Sequence, residues 1–389
     1  MGKRSFNYKL ADAQGTAVQP IAPERFDYAA YRDYEAELLE RNRAFWRSDA
    51  GVAVYRRFRV PECFSYGCRD MKLSLELQLG ALARSMEYPA DIANFLEPWY
   101  GIGTIASAFG VDYHWTPGQA PGMIAPFKTV AEALQRQPVP IAQTPIGRHT
   151  LEMIEYFLDK TGGRLPMSLT DTQSPMNAAS FLVEINNFFM SVYDDPEGLS
   201  RLLSIMADLL IEFTKKQREL IGDALVWPGH GFASSREFSG IGMSDDCVVM
   251  FSDEQYLTFA APAMVKVGEA FDGTVFHSCG NWSAKAEAIR SLGKLRMVDG
   301  AFSCQTDPDP NDAEAVAQAF AGTGIAVNAR IVGDPATIEE QLAKLARPGM
   351  KLIVVTYCET PEEQAAAYAR VHEMNPTVLS SCTNPNRQG

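Results

Sequence analysis

The stretch KLIVVTYCETPEEQ, residues 351–364, carries the key to the fold. Its first half is apolar at consecutive positions and of strand length, the mark of a strand buried on both faces. Its second half is a helix start: Thr360 as N-cap, Pro361 at the first helical position, and Glu362 and Glu363 in the first turn. A doubly buried strand feeding straight into a capped helix is a βα unit of a parallel sheet. The pattern recurs upstream at LPMSLTD (165–171), GIGMSDD (240–246), TVFHSCG (274–280), DGAFSCQ (299–305) and GIAVNARIV (324–332). Two fainter strands are expected at GVAVYRRFRV (51–60) and GIGTIASAF (101–109). Over the second half the spacing is roughly 25 to 35 residues, the length of one βα unit.

Helix signals fill the gaps. Residues 24–46 read as an amphipathic helix. Asp195 and Pro196 precede a stripe of Leu199, Leu202, Leu203, Met206, Leu209, Leu210 and Phe213. Ser252 and Gln255 form a capping box, and Asp334–Pro335 opens another helix. An open doubly wound sheet would show a glycine-rich phosphate turn. Gly101–Ile102–Gly103 lacks the third glycine, and GxxxxGK[ST] does not occur. The expected fold is therefore α/β: a single (β/α)8 TIM barrel over residues 51–389, with an N-terminal helical extension over residues 1–50.

Composition narrows the function. A net charge of −13, from 35 basic and 48 acidic residues, excludes the basic footprint of a nucleic-acid partner. No run of eighteen apolar residues marks a membrane span. MGKRSFNYKLADAQ at the N-terminus has no apolar signal region, and Phe6 stands where myristoylation wants Ser or Thr. A cytoplasmic location is expected, and there the seven cysteines serve as ligands, catalytic thiols or core residues rather than disulfides.

Polar residues gather at the C-terminal ends of the expected strands, the face where such barrels carry chemistry. They are Asp245–Asp246, His277 and Cys279, Cys304 and Cys358. In an extended strand, residues two apart point to one side, so His277 and Cys279 can converge on one ion. Alone, the pair is a weak signal and reads first as an ordinary half-buried strand end. Cys304 and Cys358 end other strands and meet the same mouth, making one His and two or three thiolates a soft, zinc-preferring set. Cys358 also lies near a helix N-terminus, whose dipole favours the thiolate. Cys63, Cys68, Cys247 and Cys382 read as core or surface residues. His114, His149 and His372 read as structural, and His230, in WPGHGF, as the further histidine placed to touch substrate.

These motifs, in this order, resemble the uroporphyrinogen decarboxylase superfamily. Within it they are similar to the zinc-dependent methylcobamide:thiol (coenzyme M-type) corrinoid methyltransferases. The matching pieces are SLTDTQSPMNAASFL (168–182), residues 187–213, residues 240–264, VFHSCGN (275–281) and VTYCETPEEQ (355–364). The decarboxylases use no metal and carry an RQAGRY-type arginine motif and a GHG at the last strand. Here the last strand ends in Cys358, and the GHG containing His230 precedes GIGMSDD.

The resemblance implies zinc held by His277, Cys279 and Cys358. Cys304 stands near the place where related cobalamin-independent methionine synthases have a glutamate ligand, and is kept as a fourth candidate. It further implies a corrinoid (methylcobamide) presented by a corrinoid-binding partner protein, and a small-molecule methyl donor or acceptor. Asp171, Gln173, Asp246 and Asn281 are candidates to orient substrate, or equally to cap loops and helices. Two other classes stay open. One is a metal-free decarboxylase of a polycarboxylate, which would need arginines at the mouth, with Arg56, Arg57, Arg59 and Arg236 as candidates. The other is a non-catalytic corrinoid-binding barrel.

Overall fold

The structure, a computed structural model, describes residues 14–374. Cys382 and the first thirteen residues lie outside that range. Six parallel strands form one sheet: β1 Gly51–Arg56, β2 Ile241–Ser244, β3 Thr274–His277, β4 Leu295–Ala301, β5 Ala326–Ile331 and β6 Lys351–Thr356. Their order is β1-β6-β5-β4-β3-β2. Extended segments close the gap between the edge strands β1 and β2. The Asp91 amide donates to the Val54 carbonyl at 2.8 Å. Parallel bridges then join Leu96 to Met167, Met167 to Leu225, and Gln173 to Ser244. The wall is that of a TIM barrel, with helices outside it.

Strand parity divides the interior from the helix layer. In β6, Ile353 and Val355, with Tyr357 beyond them, pack with Ala53, Tyr55, Val275, Met297 and Ala326 inside the barrel. Leu352 and Val354 pack outward with Ala367 and Val371 of the helix Pro361–Glu373. The capping signals are realised: Asp195, Asp334 and Thr360 each accept from the amide three residues on, and Ser252 with Gln255 makes the full capping box. In the helix Pro196–Ile221, Leu199, Leu202, Leu203, Met206, Leu210 and Phe213 are buried against the wall. Each such side chain contributes about 1.5–3 kcal/mol.

The N-terminal helix Tyr28–Arg47 closes the floor of the barrel: Phe45 and Trp46 join the interior cluster, and the Lys351 ammonium donates to the carbonyls of Trp46 and Ser48. Asp91 ties this end together. Its carboxylate accepts from the Val54 amide and the Tyr368 hydroxyl at 2.7 Å, and meets His372 Nε2 at 2.8 Å. Asp91 is 3 % exposed, so Asp91→Ala strands buried donors. The variant should lose about 2–4 kcal/mol in urea unfolding.

Two expected strands are not formed. LPMSLTD (165–171) runs as an extended segment tied to the wall through the isolated bridges at Met167. The other, GIGTIASAF (101–109), folds as a loop and a 3-10 turn at Ala106–Phe109. Its glycines explain why: a Cβ on Gly101 or Gly103 would fall 2.4–2.8 Å from Tyr113, Pro121 or Met123, so the backbone packs directly on those side chains. Gly103 also donates its amide to the Tyr113 hydroxyl at 2.8 Å. The strand expected at 299–305 begins earlier, at Leu295, and ends at Ala301, before Cys304.

Candidate functional site

The C-terminal ends of the strands open into a cavity of about 460 Å³. Small-molecule sites commonly span about 300–1,000 Å³. Asp171, Gln173, His230, Asp246, His277 and Cys279 line it, as do Arg57, Arg59 and Arg330.

His277 ends β3 facing inward, and β4 places Asp299 beside it in register. Nδ1 of His277 lies 2.5 Å from Asp299 Oδ2, and its Nε2 lies 3.4 Å from the Cys279 thiol. Asp299 is 1 % exposed and is held from the far side by Arg330 Nε at 3.0 Å and Asn328 Nδ2 at 2.5 Å, both from β5. Burial alone would lower the imidazole's pKa. The Asp299 carboxylate and the Cys279 sulfur outweigh it and hold the imidazole up to about 10. Asp299, despite burial, is held below the ordinary carboxylate range by Arg330 and His277.

Asp246 completes the group. Its Oδ1 accepts from the Cys279 amide at 2.7 Å, and ligating atoms of Asp246, His277 and Cys279 lie within 4.8 Å of one another. The neighbouring Asp245 is turned into the core. There burial pushes its carboxyl up to about 7, and Tyr256 donates to it at 3.0 Å.

The fit to a metal can be tested on these distances. A tetrahedral zinc about 2.0 Å from a nitrogen and about 2.3 Å from a sulfur spaces the two ligands about 3.6 Å apart. The observed 3.4 Å is close to that value. The Asp299 contact at Nδ1 is the usual orienting partner of a ligating histidine, and it leaves Nε2 for the ion.

A second carboxylate–imidazole pair stands elsewhere on the wall. His230 Nδ1 lies 2.5 Å from Glu97, and Nε2 lies 3.6 Å from Asp171. Gly229 and Gly231 flank His230 with φ of 121° and 84°, a backbone course that side chains resist. Burial would raise the Glu97 pKa, but His230 and Arg57 hold it down to about 2. Asp171 accepts from Trp99 Nε1 at 3.1 Å and Gln173 Nε2 at 2.9 Å.

Three expected site residues are not brought to this group. Cys358 extends β6 with the outward parity of Thr356 and is 3 % exposed among core residues. Burial pushes its thiol up to about 11, against a lowering by Arg56. Cys304 is exposed on the loop after β4; Thr306, Asp307 and Pro308 of that loop line the cavity, and Cys304 is not among the lining residues. Asn281 accepts from the amide and hydroxyl of Ser283, a local turn contact. Of the arginines considered for the mouth, Arg57 and Arg59 line it. Arg56 is buried against the Cys358 carbonyl, and Arg236 pairs with Glu35 on the surface. Sequence reading missed Asp299, Arg330 and Glu97. An aspartate within the apolar run DGAFSC, and an arginine within GIAVNARIV, were the available signals.

Comparison with known proteins now bears on the site. The model of the uroporphyrinogen decarboxylase (URO-D) family matches residues 51–367. The chain belongs to that family. The match begins at β1, leaving the floor helix before it. Among solved structures, this URO-D family member is similar to a methyltransferase from Methanosarcina mazei. The two share 16% identity and a TM-score of 0.52, over 94% of this chain and 97% of that one. At that identity the likeness shows a shared fold. No curated protein matches the chain. No helix among the described residues is long and apolar enough to cross a membrane.

Proposed function

We propose that this URO-D family member is a zinc-dependent methyltransferase. It moves a methyl group between a corrinoid held by a partner protein and a small-molecule thiol or methylated substrate. The observation that carries the reading is the Asp299–His277–Cys279 line, with its nitrogen–sulfur spacing of 3.4 Å. The name of the Methanosarcina mazei neighbour supports the same class.

His277 and Cys279 hold the metal, and Asp246 stands within ligand reach. Cys358, the third ligand implied by the resemblance, joins only if its thiol turns out of the core. Bound zinc supplies a Lewis acid that lowers the pKa of a coordinated thiol toward neutrality. Asp299 fixes the His277 tautomer. Asp171, Gln173 and His230 border the space left for the small substrate.

Metal analysis of the purified protein tests this. About one zinc per chain is expected, falling to under a tenth in Cys279→Ala. Comparing Asp246→Asn with Cys358→Ala identifies the third ligand as the one whose loss empties the site. Zinc absent from the wild type, or unchanged in Cys279→Ala, sinks the reading. The second reading, a metal-free decarboxylase of a polycarboxylate, is favoured by Arg57 and Arg59 at the mouth. Zinc stoichiometry separates the two.

A further inference from the structure

His230 stands on a loop that reaches the His277 centre. The two arms of the loop pair at Trp227 and Ser235. Within it the Gly229 amide donates to Ser234 Oγ at 3.1 Å, and the Ala233 amide donates to Asn328 Oδ1 at 3.3 Å. Asn328 is the residue that also donates to Asp299 behind His277. The Phe232 ring meets the His277 ring edge to face, with centroids 6.0 Å apart. One loop therefore carries His230 and braces the His277 group, and both histidines line the same cavity.

Glu97 reaches His230 from behind. Its Oε2 lies 2.5 Å from Nδ1 and accepts from the Gly231 amide at 3.3 Å, while Oε1 faces Arg57 at 3.7 Å. With its carboxyl held down to about 2, Glu97 is ionised throughout the neutral range. The two groups meet off the ring's N–H axis, but a carboxylate this close to a ring nitrogen requires the hydrogen on Nδ1. Nε2 is left over. Among the described residues it meets no hydrogen-bond partner: Asp171 Oδ2 stands 3.6 Å off, and Asp171 already accepts from Trp99 and Gln173. Phe64 covers the ring at 5.2 Å between centroids. A carboxylate behind Nδ1 and an uncommitted Nε2 in a cavity is the arrangement in which a histidine moves protons.

We infer that His230 is the proton-transfer residue of this cavity: Nε2 takes the proton of a thiol acceptor, or returns one to the heteroatom that a methyl group leaves, while Glu97 holds the ring. The inference rests on the methyltransferase reading and deepens it. Toward the thiol, the S–H bond breaks and its proton passes to Nε2. The sulfur pair forms the S–C bond as the methyl group leaves the corrinoid, whose bonding pair stays behind on the corrinoid. In reverse, the carbon–heteroatom bond breaks, its pair stays on the heteroatom, and the proton returns there from Nε2. The charged groups around the ring are Glu97 and Asp171, with Arg57 behind Glu97.

Calorimetric titration of the zinc-loaded full chain with 2-mercaptoethanol tests this. Repeated in buffers of different ionisation enthalpy, from about pH 6 to about pH 9, it counts the protons passed to solvent per thiol bound. Where His230 keeps the thiol's proton, the wild type should release up to about one proton fewer than His230→Gln. Glu97→Gln leaves the ring but removes its carboxylate, and should move the pH range of that difference. Zinc content should match the wild type in both variants. Long-range proton–nitrogen NMR of the zinc-free chain reads the tautomer without any substitution: the neutral His230 ring should carry its hydrogen on Nδ1. Equal proton release from wild type and a folded His230→Gln, no thiol binding to the zinc-loaded wild type, or a neutral ring protonated on Nε2 overturns the inference and leaves the zinc site standing. A wild type without zinc removes the methyltransferase reading and this inference with it.

Discussion

Asp299→Ala is expected to destabilise the metal-free protein by about 3–5 kcal/mol, the usual consequence of removing one partner from a buried ionic group. Asp299 carries three contacts at once, with His277, Arg330 and Asn328. Its loss leaves the Arg330 guanidinium, already short of one acceptor, without its carboxylate in a nearly solvent-free setting. The same change frees the His277 ring, so zinc affinity should fall about 10- to 100-fold. Urea unfolding with a chelator present reads the first effect, and competitive metal titration reads the second. Asp299→Asn keeps the shape while removing the charge. It should retain more stability than Asp299→Ala but lose comparable metal affinity. An Asp299→Ala protein within about 0.5 kcal/mol of wild type would show that the network contributes nothing to folding.

Metal-free stability should fall as pH rises from about 7 to about 10. The sign follows from His277, whose imidazole is held up to about 10 in the fold against an ordinary 6.5. Protonation is favoured in the folded state, so its contribution is complete below pH 6.5 and is lost as pH climbs through about 10. The loss should be on the order of 3 kcal/mol. Denaturant midpoints at pH 6.5, 8 and 9.5, with chelator, measure it. Lysines, tyrosines and thiols also titrate there, so the wild type is compared with Asp299→Asn, in which most of the slope should vanish. Zinc binding removes the Nε2 proton, so the loaded protein should show a flatter profile and an affinity that drops on acidification. Equal slopes in wild type and Asp299→Asn would contradict the assignment.

Much of the fold was legible because its signals are local. Apolar runs at 241–244, 326–331 and 351–356, each ahead of a capped helix, and the shorter run at 274–277 need no knowledge of neighbours to be read. GIGTIASAF misled because small residues that look apolar in sequence serve there as close-packing backbone against Tyr113. At the site, His277 and Cys279 share a strand end, so parity within one segment sufficed. Cys358 shows the limit. Its place at the end of an apolar strand is readable, but its side of the strand depends on which of Val354 and Val355 faces the barrel interior, and a strand apolar on both faces does not say.

The sequence by itself therefore determined the barrel, its capped helices and the His277–Cys279 pair, because spacing along one segment dictates them. Only the tertiary structure decided what surrounds that pair: Asp299 behind His277, Asp246 beside Cys279, Cys358 turned into the core, and Phe232 of the His230 loop against His277. Those relations depend on the register between neighbouring strands and on which way each doubly apolar strand faces. The packing of the whole barrel sets both.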